Sequence, residues 1–171
     1  MEKLFDFLEN LCIAVLFLTI TVLFVFRMIV VDGSSMLPTL EENEKLIVSN
    51  FMYTPEKGDI VITDSNNGFD KPLVKRIIAT GGDTIRIDYT TGDVYVNGSL
   101  LQEDYILEKI RPIPADDIDM TVPAGYVFLM GDNRNSSSDS RVEEIGVINE
   151  KDLLGKAVLR ISPLSKIGKV K

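Results

Sequence analysis

The run Leu11-Cys12-Ile13-Ala14-Val15-Leu16-Phe17-Leu18-Thr19-Ile20-Thr21-Val22-Leu23-Phe24-Val25-Phe26-Arg27-Met28-Ile29-Val30-Val31 carries a single charge, and Gly33-Ser34-Ser35-Met36-Leu37-Pro38-Thr39-Leu40 begins just after it stops. No other stretch of the chain is long and apolar enough to cross a bilayer. As a helix rising 1.5 Å per residue this run spans about 31 Å, close to the ~30 Å of bilayer hydrocarbon. Ser35 follows within about 14 Å of extended chain, so any chemistry it performs is expected near a membrane surface.

Composition excludes more than it suggests. Of 171 residues, 45% are hydrophobic, and removing the apolar segment leaves about 140, one domain's worth and enough for a core without disulfides. The only cysteine, Cys12, lies inside the apolar run, which removes a disulfide framework, a thiol nucleophile and a thiolate zinc site. Histidine is absent, and with it go the Ser-His-Asp triad, the Cys-His pair and every imidazole metal site. No metal or cofactor is expected. A formal charge of −8 speaks against nucleic acid as a partner, because a phosphate backbone rewards a basic face.

Upstream, Met1 to Asn10 is short and mixed in charge, with Lys3 against Glu2, Asp6 and Glu9. A cleaved signal peptide would want a more basic start and an Ala-x-Ala-like triplet after its apolar core; here Arg27 to Asp32 follows instead. Residues 11–31 are therefore expected to be a retained transmembrane anchor, with 1–10 as a short tail and 32–171 as the functional domain. Arg27, near the end of the run, can extend its guanidinium to the interface. Lys3 and the amino terminus oppose Arg27 across the span, so charge alone leaves the orientation open.

Beyond the anchor the pattern shifts to short alternating runs. Residues 45–49, 59–63 and 73–79 are β-branched and bounded by Gly, Pro, Asn and Asp, the signature of strands. Ile85 to Tyr89, Thr91-Gly92 and Val94 to Val96 form a predicted hairpin, with Asn97-Gly98 as a second turn. Residues 126–130 and 157–161 add two more candidates, while 64–72 and 111–123 are expected as surface loops. Many short strands without intervening helices predict a mainly β, antiparallel domain, with 82–122 as a hairpin and loop insertion within it.

Three features can carry chemistry. Ser35 lies in an irregular turn, where a serine taken alone is most often a cap or turn residue. Lys75 sits in a predicted strand and, on a period of two, shares a face with Leu73, Ile77 and Ala79; a solvated lysine is the commoner case. The polar run Gly131-Asp132-Asn133-Arg134-Asn135-Ser136-Ser137-Ser138-Asp139-Ser140-Arg141 follows an apolar strand. As a calcium loop it is poor, since Arg134 and the serines interrupt the oxygen spacing.

Together, SSMLPTL after an anchor, Lys75-Arg76 in an apolar strand, Lys57-Gly58-Asp59-Ile60-Val61 and GDNRNSSSDSR resemble the sequence boxes of bacterial type I signal peptidases, in order and over nearly the whole chain. The compact, single-anchor form is similar to the Gram-positive members. The resemblance implies Ser35 as nucleophile and Lys75 as general base, with Ser137 orienting the amine. Asp139 would form an ion pair with Arg141 or Arg76, and Asp132 and Arg134 would shape the loop beside the site. It further implies an oxyanion site at the Ser35 N–H, with a second donor to be found at Ser34 or a backbone N–H, since Gly33 stands where some members carry a serine. Met36, Leu40, Leu73 and Val74 match positions lining small apolar substrate pockets.

The chemistry of the residues agrees with that assignment. Guanidinium does not lose its proton in proteins, so Lys75 rather than Arg76 is the titratable cation of the strand. A lysine must be neutral to accept a serine proton, and lowering its pKa by about two units costs on the order of 2.7 kcal/mol, which an apolar wall can supply. The expected protein is a membrane-anchored serine endopeptidase that removes signal peptides from exported preproteins through an acyl-enzyme. It would sit in the cell membrane as a single-pass protein, amino terminus cytoplasmic and catalytic domain outside. Its partners would be preprotein signal peptides, the lipid bilayer and, in proximity, the secretion machinery. Two alternatives stand beside it: another Ser-Lys peptidase of the same clan, and a catalytically silent anchored β domain that binds peptides or partners.

Overall fold

The computed structural model describes residues 2–65 and 71–170. Among the described residues one α-helix, α1 (Glu2–Val25), precedes twelve strands. β1 (Phe26–Val30), β2 (Lys45–Ser49), β3 (Ile60–Thr63) and β4 (Val74–Thr80) come first. A second group follows: β5 (Thr84–Asp88), β6 (Asp93–Val96), β7 (Ser99–Leu100) and β8 (Ile118–Thr121). The chain then returns through β9 (Tyr126–Met130), β10 (Ile148–Asn149), β11 (Leu153–Ser162) and β12 (Gly168–Lys169). Among the described residues every strand pair is antiparallel, so the fold is mainly β, as the turn-punctuated sequence predicts.

The apolar run does not stay helical to its end. Helix α1 begins nine residues earlier than expected, at Glu2, and stops at Val25; Phe26–Val30 then pairs along the whole of β2, Phe26 opposite Ser49 and Val30 opposite Lys45. The reason is local: Ile29 and Val30 are β-branched, and an unpaired edge of β2 lies within reach. The helical part remains long enough to cross a membrane, with Lys3–Thr21 its most apolar window, and none of that window is buried against the rest of the protein.

A large sheet runs β1-β2-β11-β3-β4-β9-β10, with β12 added on β11. Strand β11 pairs with β2 and β3 together, and bulges let its ten residues serve both neighbours. Gly155, at φ +142°, passes so close to β2 that a Cβ there would lie 2.6 Å from the Ser49 carbonyl oxygen. Only glycine fits such an approach.

The second sheet, β7-β6-β5-β8, is built from the predicted insertion. Asn97 and Gly98 both take positive φ, +52° and +76°, the requirement of a two-residue hairpin turn, and they join β6 to β7. Strand β8 falls inside 111–123, which the sequence marked as loop. Its alternation of half-buried Ile118 and Met120 with exposed Asp119 and Thr121 is that of a short edge strand, but four residues among Asp and Pro carry too little β-forming composition to stand out. The expected 64–72 loop lies largely outside the described residues.

Three apolar clusters hold the sheets together. One joins β4 and β9 to the second sheet through Ile78, Ile85, Ile87, Val94, Phe128 and Met130. Another packs Met36 and Leu40 onto Leu46, Val48, Ile60 and Ile62. The third gathers Val61, Ile77, Val127, Leu129, Ile148 and Leu153, with Leu73 against it. A register shift between Ile77 and Ala79 breaks the period of two in β4. Ala79 therefore joins the first cluster instead of sharing a face with Leu73 and Ile77.

Candidate active site

Ser35 is positioned by what surrounds it rather than by its own side chain. Past β1 the pairing continues through Val31, whose N–H donates to the Glu44 carbonyl (2.8 Å) and whose carbonyl accepts from Asn43. Gly33 then turns the chain at φ +83°, a conformation with little cost for glycine alone. The next residues close a turn, Leu40 N–H donating to the Met36 carbonyl at 2.9 Å. Met36 and Leu40 are fully buried beneath it, which leaves Ser35 half exposed at the lip of a cleft.

Lys75, opposite Val61 of β3, reaches the same point. Its Nζ donates to Ser35 Oγ at 2.8 Å, although the two residues are forty apart in sequence. Lys75 is only 3% exposed, and burial pulls its pKa from the ordinary lysine value down to about 8. Asp139 and Asp132 push the other way and Arg141 reinforces the lowering, but desolvation dominates.

The polar run after β9 wraps this pair. Asp139, fully buried, takes two bonds from Arg141 at 2.7 and 2.8 Å and one from the Gly131 N–H at 2.9 Å. That settles its partner as Arg141. Arg76 binds Asp132 instead, through Nε (2.8 Å) and Nη2 (2.7 Å), while its Nη1 donates to the Gly58 carbonyl. The Thr39 hydroxyl also donates to Asp132. Arg134 donates from Nε to the Gly131 carbonyl (3.1 Å) and is itself held by Glu103. Gly131 has no room for a side chain: a Cβ there would strike both the Ser137 hydroxyl and the Ser35 carbonyl.

Among the expected residues, Ser137 is brought to the site without a bond to Lys75; its hydroxyl is buried and has no hydrogen-bond partner among the described residues. Neither the Ser35 N–H nor the Ser34 hydroxyl has one either among them. A cleft of about 390 Å³ opens beside Ser35 and Lys75, walled by Met36, Leu73 and Val74 together with Ile29, Val31 and Leu154. Leu40 is off that wall, in the core below the turn.

Sequence reasoning missed Asn133, whose N–H donates to the Ser35 carbonyl (3.0 Å) and whose Nδ2 donates to the Ser34 carbonyl (3.1 Å). It also missed Thr39, Tyr105 and Glu103. Asn133 is visible in the polar run, but no local signal distinguishes it there from Asn135. Among the described residues no group of three acidic, cysteine or histidine side chains could hold a metal ion.

A buried amine of lowered pKa against a serine hydroxyl, beside an apolar cleft, is the equipment of a hydrolase that forms an acyl-enzyme without imidazole. Comparison with known proteins agrees. The family model described as signal peptidase, peptidase S26, matches residues 4–162. The chain is 35% identical over 178 aligned positions to signal peptidase I P of Bacillus subtilis subsp. natto, covering 97% of this chain and 93% of the relative. It is 38% identical to a probable signal peptidase I-1 of Synechocystis, over 82% of this chain and 73% of that one. A crystal structure of a signal peptidase I from Enterococcus faecalis V583 superposes with a TM-score of 0.51 at 27% identity, covering 62% of this chain and 98% of that one. With a family model spanning most of its length and relatives of this identity, the chain belongs to the signal peptidase family, peptidase S26.

Proposed function

We propose that this signal peptidase is a membrane-anchored serine endopeptidase that removes N-terminal signal peptides from exported preproteins with a Ser35-Lys75 dyad. The observation that carries this reading is the 2.8 Å contact between a desolvated lysine amine and a serine hydroxyl. With a pKa of about 8, roughly a tenth of the amines are neutral at pH 7; at an ordinary lysine value of about 10.4 the fraction is below one in a thousand.

The neutral Lys75 amine accepts the Ser35 hydroxyl proton as Oγ attacks the scissile carbonyl carbon. Charge gathers on the carbonyl oxygen near the Ser35 N–H, with Gly33 and Ser34 shaping the remainder of the oxyanion site. The ammonium returns its proton to the departing amine, leaving the signal peptide esterified to Ser35. Water, deprotonated by the same amine, hydrolyses the ester and frees the peptide's carboxylate. Ser137 is the candidate to hold the Lys75 amine in line during these transfers, since its buried hydroxyl faces the site unpaired. Asp132, Arg134, Asp139 and Arg141 fix the loop. Met36, Leu73 and Val74 offer shallow apolar pockets suited to small residues before the cut.

Helix α1 supports the membrane setting: Leu4, Phe5, Leu8, Leu16 and Phe17 all project away from the protein, and a helix of this length spans about 36 Å. The reading places the amino terminus in the cytoplasm and the β domain outside, beside the secretion machinery. A substrate tethered by its own apolar segment then meets Ser35 at raised effective concentration.

Four measurements on detergent-solubilised protein bear on this mechanism. Ser35→Ala and Lys75→Ala should each lower preprotein cleavage about 10³-fold or more, and the double variant no further, because the two act as one unit. Processing that survives either change would refute the dyad. Cleavage kcat/KM should rise with pH about a midpoint near 8, gaining roughly tenfold between pH 7 and its plateau; a flat profile from pH 5 to 10 contradicts a lysine base. Thermal melts supply the linked stability test. Lys75 binds its proton less tightly when folded, so its burial costs on the order of 3 kcal/mol, fully felt below pH 8 and fading between 8 and the unfolded lysine value. Lys75→Met should therefore melt higher than wild type at pH 7, with a gain that shrinks above pH 8. Finally, Ser137→Ala should reduce kcat at least tenfold without lowering the melting temperature, since it removes a buried hydroxyl that has no partner to lose.

A further inference from the structure

Behind the catalytic loop runs a segment, residues 101–111, that leaves the second sheet after β7 and belongs to none of the sequence boxes. Up to Tyr105 it alternates as an extended chain does: Leu101, Glu103 and Tyr105 are turned partly inward, Gln102 and Asp104 outward. Its start is fixed by the Leu101 N–H on the Val94 carbonyl (2.8 Å). Near its end the Ile110 carbonyl lies so close to Gly92 that no Cβ fits there.

Between those anchors it grips the loop at successive points. The Leu107 N–H donates to the Asp132 carbonyl (3.2 Å). Asn135 bridges to the Lys109 carbonyl and the Arg111 N–H, each at 2.9 Å. The Tyr105 ring lies 4.0 Å from the Arg76 guanidinium carbon. The strongest grip is Glu103, whose carboxylate takes both Nη1 and Nη2 of Arg134; the Arg134 side chain is 1% exposed and that of Glu103 10%.

From Arg134 the connection runs to the nucleophile. Arg134 Nε holds the Gly131 carbonyl, and two residues on, Asn133 donates its side-chain amide to the Ser34 carbonyl. The Ser34 carbonyl and the Ser35 N–H belong to one rigid peptide plane. Fixing one end of that plane fixes the direction of the other, and the other is the expected oxyanion donor. A donor helps only when held in place before charge develops, so loosening this plane weakens the transition state rather than substrate binding.

We propose that Glu103 is a positioning residue for peptide cleavage, acting through Arg134 and Asn133 to aim the Ser34–Ser35 peptide plane at the developing oxyanion. The inference rests on Ser35 being the nucleophile. Glu103 does not line the cleft, whose walls are formed by Met36, Leu73, Val74 and residues of β1.

The test measures kcat and KM for preprotein cleavage by the full chain in detergent, with melting temperatures alongside, for wild type, Glu103→Ala, Glu103→Gln, Asn133→Ala and the double variant Glu103→Ala/Asn133→Ala. Glu108→Ala, which breaks only an exposed pair with Arg111, controls for a change of charge in the segment, and Ser35→Ala controls the nucleophile. The expected result is a kcat lowered about tenfold in Glu103→Ala with KM within twofold, and a double variant no slower than Asn133→Ala alone. If Glu103→Ala fails to fold, Glu103→Gln decides, with kcat at least threefold down at unchanged KM. A folded Glu103 variant with wild-type kcat, a loss confined to KM, or multiplicative losses in the double variant would overturn the proposal. Activity surviving in Ser35→Ala would instead overturn the nucleophile assignment.

Discussion

An amine kept out of water is the constraint from which the rest of this molecule follows. The proposed role of Lys75 as base requires a useful fraction uncharged near neutral pH, and burial in the cleft is what lowers its pKa to about 8. Burial outweighs two carboxylates, Asp139 and Asp132, that lie near enough to pull the value back up. Each is engaged by its own arginine, Asp139 by Arg141 and Asp132 by Arg76. The loop can thus be acidic and still border a lysine of lowered pKa.

Those arginine pairs, with Arg134 on Glu103, form a ring of three forked contacts around one loop. Buried ion pairs are uncertain sources of stability, since desolvating both partners offsets much of their attraction. Their geometry is another matter: a bidentate guanidinium fixes distance and plane together. Here that rigidity has a use, because Gly131 and Asn133 must approach the Ser34–Ser35 backbone closely enough to hydrogen-bond it and to forbid any side chain at residue 131. Two of the carboxylates come from the loop itself. The third comes from the segment between β7 and β8, which ties the second sheet to the site.

Helix and cleft meet through β1. The chain passes from the end of α1 at Val25 directly into a strand that pairs along β2, and Ile29 and Val31 from this stretch line the cleft. There is no flexible linker between the apolar helix and the wall beside Ser35. The distance from the apolar helix to Ser35 is therefore set by a hydrogen-bonded ladder, a firmer constraint than the extended-chain limit.

The sequence by itself determined the class of the fold and singled out Ser35 and Lys75 as the candidate pair. Missing histidine forces another base, guanidinium cannot serve, and Lys75 stands in an apolar strand, while Asn97-Gly98 and Thr91-Gly92 mark their turns because positive φ is a local requirement. Local patterns also set limits. The period of two in β4 wrongly joined Ala79 to Leu73, since a bulge is a property of the strand pairing. A hydrophobic run does not record where helix yields to strand, because that depends on the open edge of β2. Only the tertiary structure decided that Asp139 takes Arg141, that Leu40 lies under the turn, that Asn133 reaches the Ser34–Ser35 backbone and that Glu103 holds Arg134 beside it. Even the choice of Arg141 over Arg76 by Asp139 turns on Arg76 reaching the distant Asp132, and such distances and directions do not exist until the sheets have closed around Lys75.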